Sequence, residues 1–183
     1  MAPSEQMAAP ALQELLKEAA LAGEWILDSS RSTVSIKNRS LGGLAPVNGV
    51  FRQVAGEGAV SPTGEVSGAI AVAAASIDTK NTRRDRHLRS ADFFDSDNYP
   101  DITFTVEGIR PSGRGVTVAG TLSVRDCARP LTFAGAAVVR GDGEVWLDAA
   151  VHVNRADYGL TWNLMGLVSM KNTITIHAVF TKR

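Results

Sequence analysis

The chain has 183 residues, in which 19 Lys and Arg are balanced by 19 Asp and Glu, and 44% of it is apolar although only 6 Phe, 3 Trp and 2 Tyr supply rings. That length suits one full hydrophobic core, and so much apolar content at zero net charge excludes a disordered chain. Neutrality also argues against a general nucleic-acid or anionic-membrane surface, which needs a cationic excess to release counterions.

Residues 10 to 22 set Leu12, Leu15, Leu16, Ala19 and Ala20 on one helical stripe, with Gln13, Glu14, Lys17 and Glu18 mostly off it and Gly23 as a stop. The expected organisation is a helical extension over 1–23 followed by a single β domain over 24–183. Those same polar residues interrupt any signal-peptide apolar run and no basic n-region precedes it, so the expected compartment is the cytoplasm. The longest apolar stretch, Ala69 to Ala75, is far too short to span a bilayer as a helix. Cys127 stands alone, so no internal disulfide frames the fold.

From Glu24 the period changes to two. Val34 and Ile36 begin it, followed by Val47, Phe51 and Val54, then Val66, Ile70 and Val72. It resumes through Ile102, Phe104 and Val106, through Val116, Val118, Leu122 and Val124, and through Leu131, Phe133, Ala137 and Val139. The last runs are Val145 to Val153 and Ile174 to Phe180. These are strands with one buried face, separated by turn chemistry at Ser61-Pro62-Thr63-Gly64, Pro111-Ser112-Gly113, Ala128-Arg129-Pro130 and Asp142-Gly143. Eight or more antiparallel strands result, and they must close into a barrel or stack as a sandwich to avoid open edges. Residues 69 to 75 are small and apolar on both faces, as expected either of a locally crowded core or of a strand lying between the interior and a second apolar surface, the N-terminal helix or a partner chain in a homodimer.

Residues 78 to 100 do not alternate. They form a long charged connection with an expected helical turn or two across Asp85 to Phe94, and the five cations between Lys80 and Arg89, set against Asp78, Asp85, Asp92, Asp95 and Asp97, are expected to neutralise one another and pin the loop over one end of the barrel. Within residues 76–104 the strings Ser76-Ile77-Asp78-Thr79, Arg84-Asp85-Arg86-His87-Leu88-Arg89-Ser90, Asp92-Phe93-Phe94-Asp95, Tyr99-Pro100 and Ile102-Thr103-Phe104 closely resemble the central signature of the YceI-like family. Trp25-Ile26-Leu27-Asp28, Val47-Asn48-Gly49-Val50-Phe51, Gly120-Thr121-Leu122-Ser123-Val124 and Arg155-Ala156-Asp157-Tyr158-Gly159-Leu160 extend the resemblance in order over about 24–182. It implies an all-β, lipocalin-like eight-stranded antiparallel barrel whose apolar lumen holds a polyisoprenoid chain, such as the tail of an isoprenoid quinone or prenyl pyrophosphate. The chain departs from the family where Arg31, not histidine, precedes Ser32, and where 35–44 contains no histidine.

The expected lumen residues are Val34, Ile36, Phe51, Ile70, Val72, Phe104, Leu122, Phe133, Leu147 and Ile176. Small aliphatic side chains dominate this inward set and favour an unfilled interior. For an anionic head group, Arg86 and Arg89 share a helix face and offer forked hydrogen bonds. The alternative is a solid barrel serving as a stress-related interaction module. No catalytic residues, cofactor or metal are expected. His152 and His177 on neighbouring strands lack an evident third ligand, Cys127 beside Arg125 and Arg129 reads as an ordinary turn residue, and no nucleophile elbow or phosphate loop occurs.

Overall fold

Gly23 to Lys182 form an eight-stranded antiparallel barrel in the computed structural model, which describes residues 9–113, 115–141, 143–163 and 165–183. Its strand segments are β1 (Gly23–Leu27), β2 (Thr33–Ser40), β3 (Ala45–Phe51), β4 (Val54–Val60), β5 (Val66–Ala73), β6 (Ile77–Asp78), β7 (Asp101–Ser112), β8 (Gly115–Val124), β9 (Cys127–Arg140), β10 (Glu144–Asn154) and β11 (Lys171–Lys182). Helices α1 (Ala9–Lys17) and α2 (Thr82–Arg89) lie at opposite ends.

The first six segments are three broken staves. β1 and β2 both pair with β11, β4 pairs with β1 while β3 pairs with β2, and β5 pairs with β4 while β6 pairs with β3. Each stave bonds to the next in sequence, and the last closes on the first. Of the two architectures the alternation permits, the barrel is therefore the one adopted.

The break between β1 and β2 is a polar turn. The Asp28 carboxylate accepts from Ser30 N at 3.0 Å, Ser30 Oγ at 2.6 Å and Arg31 Nε at 2.7 Å, and Arg31 continues to Glu144 at 2.8 Å. Ser32 Oγ accepts from Val179 N at 3.0 Å across the break. Arg31 thus fastens the first stave to β10. These bonds, the Ser30 hydroxyl foremost, hold the Asp28 carboxyl down at about 2, against its ordinary 3.8. Because the folded value lies below the unfolded one, the turn's stabilisation is complete above about pH 4 and is lost as pH falls toward 2. An Asp28→Asn variant is expected to be less stable than the parent near neutrality and to converge with it near pH 2, read from urea midpoints across that range.

Three expectations about element boundaries need correction. The first helix ends at Lys17 rather than running to Ala22, because Ala19 takes a left-handed φ of 56° and Ala20 N donates back to Leu15 O at 3.1 Å, a helix-ending loop. This reversal turns Leu21 inward beside Leu12 and Leu16, so α1 packs across a barrel end.

The helix in the long connection spans Thr82–Arg89, not Asp85 to Phe94. Asn81 caps it by accepting from Arg84 N at 3.0 Å, and Ser90 ends it by donating to His87 O at 2.7 Å.

Ala128-Arg129-Pro130 is strand, and the reversal falls at Arg125, whose φ is 55°. Pro130 is tolerated because β9 pairs with β10 only over Gly135 to Arg140, leaving 127–134 bonded to β8 alone. The missing N–H then costs no ladder bond. Of the other expected turns, Ser61–Gly64 forms as read, with Gly64 N donating to Ser61 O at 2.9 Å, while Asp142 lies outside the described residues.

Candidate functional site

The barrel encloses an apolar cavity of about 240 Å³. All ten side chains expected in the lumen, Val34, Ile36, Phe51, Ile70, Val72, Phe104, Leu122, Phe133, Leu147 and Ile176, line it. The inward rings Phe104 and Phe133 meet at 5.3 Å between centroids. Space for Phe104 comes from Gly120 on the neighbouring strand, where a Cβ would stand 2.7 Å from the ring edge and 2.1 Å from Thr105 O.

Leu12, Leu16, Leu21 and Trp25 line the cavity at one end, with Trp25 Nε1 donating to Leu21 O at 3.0 Å. A Cβ on Gly64 would sit 2.9 Å from Leu16 O, so only glycine lets the β4–β5 turn approach α1 this closely. The N-terminal helix therefore closes the barrel mouth. Its amphipathic stripe announced a buried face, but periodicity does not say which surface that face covers.

The other end is closed by two segments. In the α2 connection Phe94 reaches the cavity and meets Phe51 at a tilt, with ring centroids 6.0 Å apart. A charged latch holds the connection down: buried Asp85 accepts from Thr79 N at 2.9 Å and Thr79 Oγ1 at 2.5 Å, while Arg84 donates to Thr79 Oγ1 at 2.8 Å and Thr79 O at 2.9 Å. Arg89 donates to Ile77 O at 2.9 Å. The second segment runs from Arg155 to Met170, between β10 and β11, and contributes Arg155, Tyr158 and Leu160 to the cavity wall.

Arg155 is the unusual group. Only 4% exposed, it has no carboxylate partner among the described residues. Its Nε donates to Ser169 O at 3.1 Å, Nη1 to Leu160 O at 2.5 Å and Trp162 O at 2.8 Å, and Nη2 to Val168 O at 3.4 Å. Phe93 lies under the guanidinium at 5.3 Å. Burial pushes its pKa down, yet an arginine stays charged through the working pH range. The R-x-x-aromatic-G string named this residue without a role; four carbonyls gathered from one irregular loop leave no sequence pattern to find.

Where β9 and β10 part, a polar cleft lined by Arg129, Pro130, His152, Asn154 and Asp157 opens on the outer wall, and Leu131, Val153 and Tyr158 line both it and the inner cavity. Asp157 O ties this seam by accepting from Arg129 Nε at 3.2 Å and Cys127 Sγ at 3.4 Å. Burial raises the Tyr158 pKa, keeping the phenol neutral between the two spaces.

Arg86 and Arg89 stand exposed on α2, and neither lines the cavity; the arginine that does is Arg155. His152 and His177 do not converge. His152 opposes Thr173 and His177 opposes Asp148, four positions apart along the β10–β11 ladder or roughly 13 Å. His177 Nδ1 donates to Asp148 at 2.6 Å.

A meandering eight-stranded barrel, plugged at both ends around an apolar interior, defines a lipocalin-like class of architecture. Residues 25–180 match the YceI-like domain, and the chain belongs to that family. Protein YceI of Escherichia coli O6:H1 is 37% identical over 67 residues, covering 37% of this chain and 35% of that one. Protein YceI of Salmonella arizonae is 28% identical over 95 residues, 49% of each. The matched segments thus span between 35% and 49% of the length of these relatives.

Among solved structures, Burkholderia cenocepacia BcnA superposes with a TM-score of 0.75 at 21% identity, covering 84% of this chain and 98% of that one. A polyisoprenoid binding domain from Saccharophagus degradans, implicated in plant cell wall breakdown, gives 0.69 at 15% identity, covering 87% and 98%. At such identities these two establish a shared fold.

Proposed function

We propose that this protein binds, stores or carries a long polyisoprenoid lipid, an isoprenoid quinone or prenyl pyrophosphate, with the tail in the barrel lumen. The observation that carries the reading is the cavity: about 240 Å³ walled almost wholly by aliphatic and aromatic side chains. It exceeds the ~150 Å³ at which an apolar cavity stays dry and takes up benzene, and approaches the ~300 Å³ at which small-molecule sites begin. A slender hydrocarbon fits that shape, gaining roughly 0.8 kcal/mol per buried CH₂ without any specific polar contact. Support also comes from family membership and from the polyisoprenoid binding domain that shares the fold.

The lining supports binding rather than catalysis. Its polar members are few: Arg155 donates to carbonyls, Asn172 is held by Asn38 Nδ2 and Met170 O, Tyr158 stays a neutral phenol, and Glu57 and Ser67 sit on exposed positions of the β4–β5 hairpin. A solid barrel acting only through its outer surface would leave no such cavity, so the interaction-module reading is the weaker one.

Organic extraction of the purified protein followed by mass spectrometry is expected to release a prenyl lipid. An empty extract, together with no uptake of added isoprenoid quinone or prenyl pyrophosphate, would overturn the reading.

A further inference from the structure

Large hydrophobic side chains exposed on this surface are concentrated at one place. Leu41 and Leu44 occupy the tip of the β2–β3 hairpin, and Trp162, Met165 and Leu167 lie on the segment between β10 and β11; Leu44 and Met165 are each 88% exposed. The two loops are one structure: Gly42 N donates to Leu167 O at 3.3 Å, Ser169 N to Arg39 O at 2.9 Å, and Asn38 Nδ2 to Ser169 O at 2.9 Å. Leu41 and Met165 both hold left-handed backbone, at φ 53°, a conformation that bulky residues adopt at a cost. Glycines would hold it freely, so leucine and methionine at these positions are bought with strain and give nothing to the core.

The charge of the two loops themselves is one-sided, although Asp92, paired with His87 beside Trp162, lies next to them. Residues 37–47 and 158–172 carry Lys37, Arg39 and Lys171 and no acid. Net charge over the whole chain is zero, so this is a local collar of cations behind projecting apolar side chains. That arrangement suits a surface whose outer layer is anionic and whose inner layer is hydrocarbon.

We propose that the paired tips of the β2–β3 and β10–β11 connections dock this protein on anionic lipid bilayers, with Leu41, Leu44, Met165 and Leu167 entering the headgroup boundary and Lys37, Arg39 and Lys171 facing the phosphates. The inference extends the lipid-carrier reading, because Tyr158 and Leu160 of the same segment line the lumen, so docking sets the closed end of the barrel against the source or destination of its ligand.

The test is co-sedimentation with vesicles of mixed phosphatidylcholine and phosphatidylglycerol. The wild type is expected to bind and to release with rising salt. Leu44→Ser with Met165→Ser should cut binding at least tenfold without changing the melting temperature, since both side chains are almost wholly exposed. Lys37→Gln and Lys171→Gln should each cost about fivefold, and vesicles of phosphatidylcholine alone should bind weakly. A wild type that does not sediment, or a Leu44→Ser/Met165→Ser protein that binds as well as the parent, overturns the proposal. So does a shift of the wild type from dimer to monomer in that variant without vesicle binding, which would make a second copy the occupant. Lipid extracts of the same samples separate the two readings. Loss of vesicle binding with the lumen still loaded is expected of the double variant, whereas an empty lumen with vesicle binding intact would remove the carrier reading alone.

Discussion

Replacing Ala137 and Ile174 with phenylalanine is expected to lower affinity for a prenyl lipid by about two orders of magnitude while leaving the barrel folded. Both side chains line the cavity, Ala137 beside Leu147 and Ile174 between Val151 and Ile36 in the strand register. Two rings placed there take the room of about one five-carbon unit, worth on the order of 3 kcal/mol of hydrocarbon burial. Added volume in a packed core normally costs about 1–3 kcal/mol, but here it goes into empty space, and filling a cavity recovers part of the loss that the void represents. The melting temperature should therefore move little as the bound lipid disappears. Calorimetric titration with an isoprenoid quinone measures the affinity, and Ile174→Leu, which conserves volume, should bind as the parent does. Unchanged affinity in a folded double-phenylalanine protein would mean that the tail lies elsewhere.

The lumen was legible because it obeys a rule of period two. In a closed barrel every strand shows alternate residues to the inside, so Val34 and Ile36, or Ile70 and Val72, declare their face by spacing alone. The ends obey no such rule. Ala128-Arg129-Pro130 carries the composition of a turn and is strand, because what decides a proline's tolerance is whether the next strand needs its N–H, and β10 has already diverged there. The stripe of Leu12 and Leu16 announced a helix but not its burial in the barrel mouth. Five cations among acids read as a network pinning the loop, with Arg86 and Arg89 as an anion site beside it; Arg84 and Arg89 do donate to the backbone of Thr79 and Ile77, while Arg86 stands exposed. Arginines clustered in sequence were holding a loop in place, while the single arginine of the cavity wall stood in a separate loop.

That arginine carries the second large effect. Arg155→Met is expected to destabilise the protein by about 3 kcal/mol and to loosen the segment from Arg155 to Met170. Among its described residues this stretch has no regular pairing of its own beyond the short turn Arg155–Tyr158, so its carbonyls at Leu160, Trp162 and Val168 depend on the guanidinium, while Ser169 O also accepts from Asn38 Nδ2 at 2.9 Å. Removing one donor group orphans three acceptors at once, each worth roughly 1–3 kcal/mol if it stays dry; the loop's outer side admits water and caps the total. Lysine restores the charge but presents three donors from a single point rather than a planar fork, so Arg155→Lys should recover only part of the loss. The clamp does not titrate in the working range, so its contribution should be flat with pH where the Asp28 turn fades in acid. Urea unfolding gives the total, and hydrogen exchange at the amides of Leu160 and Val168, which donate to Arg155 O and Asn163 Oδ1, reports the loop. If those amides keep their protection in Arg155→Met, the carbonyls have found other partners and the clamp is not what shuts this end of the barrel. If they lose it, Tyr158 and Leu160 are released from the cavity wall, and bound lipid should exchange faster by the same opening.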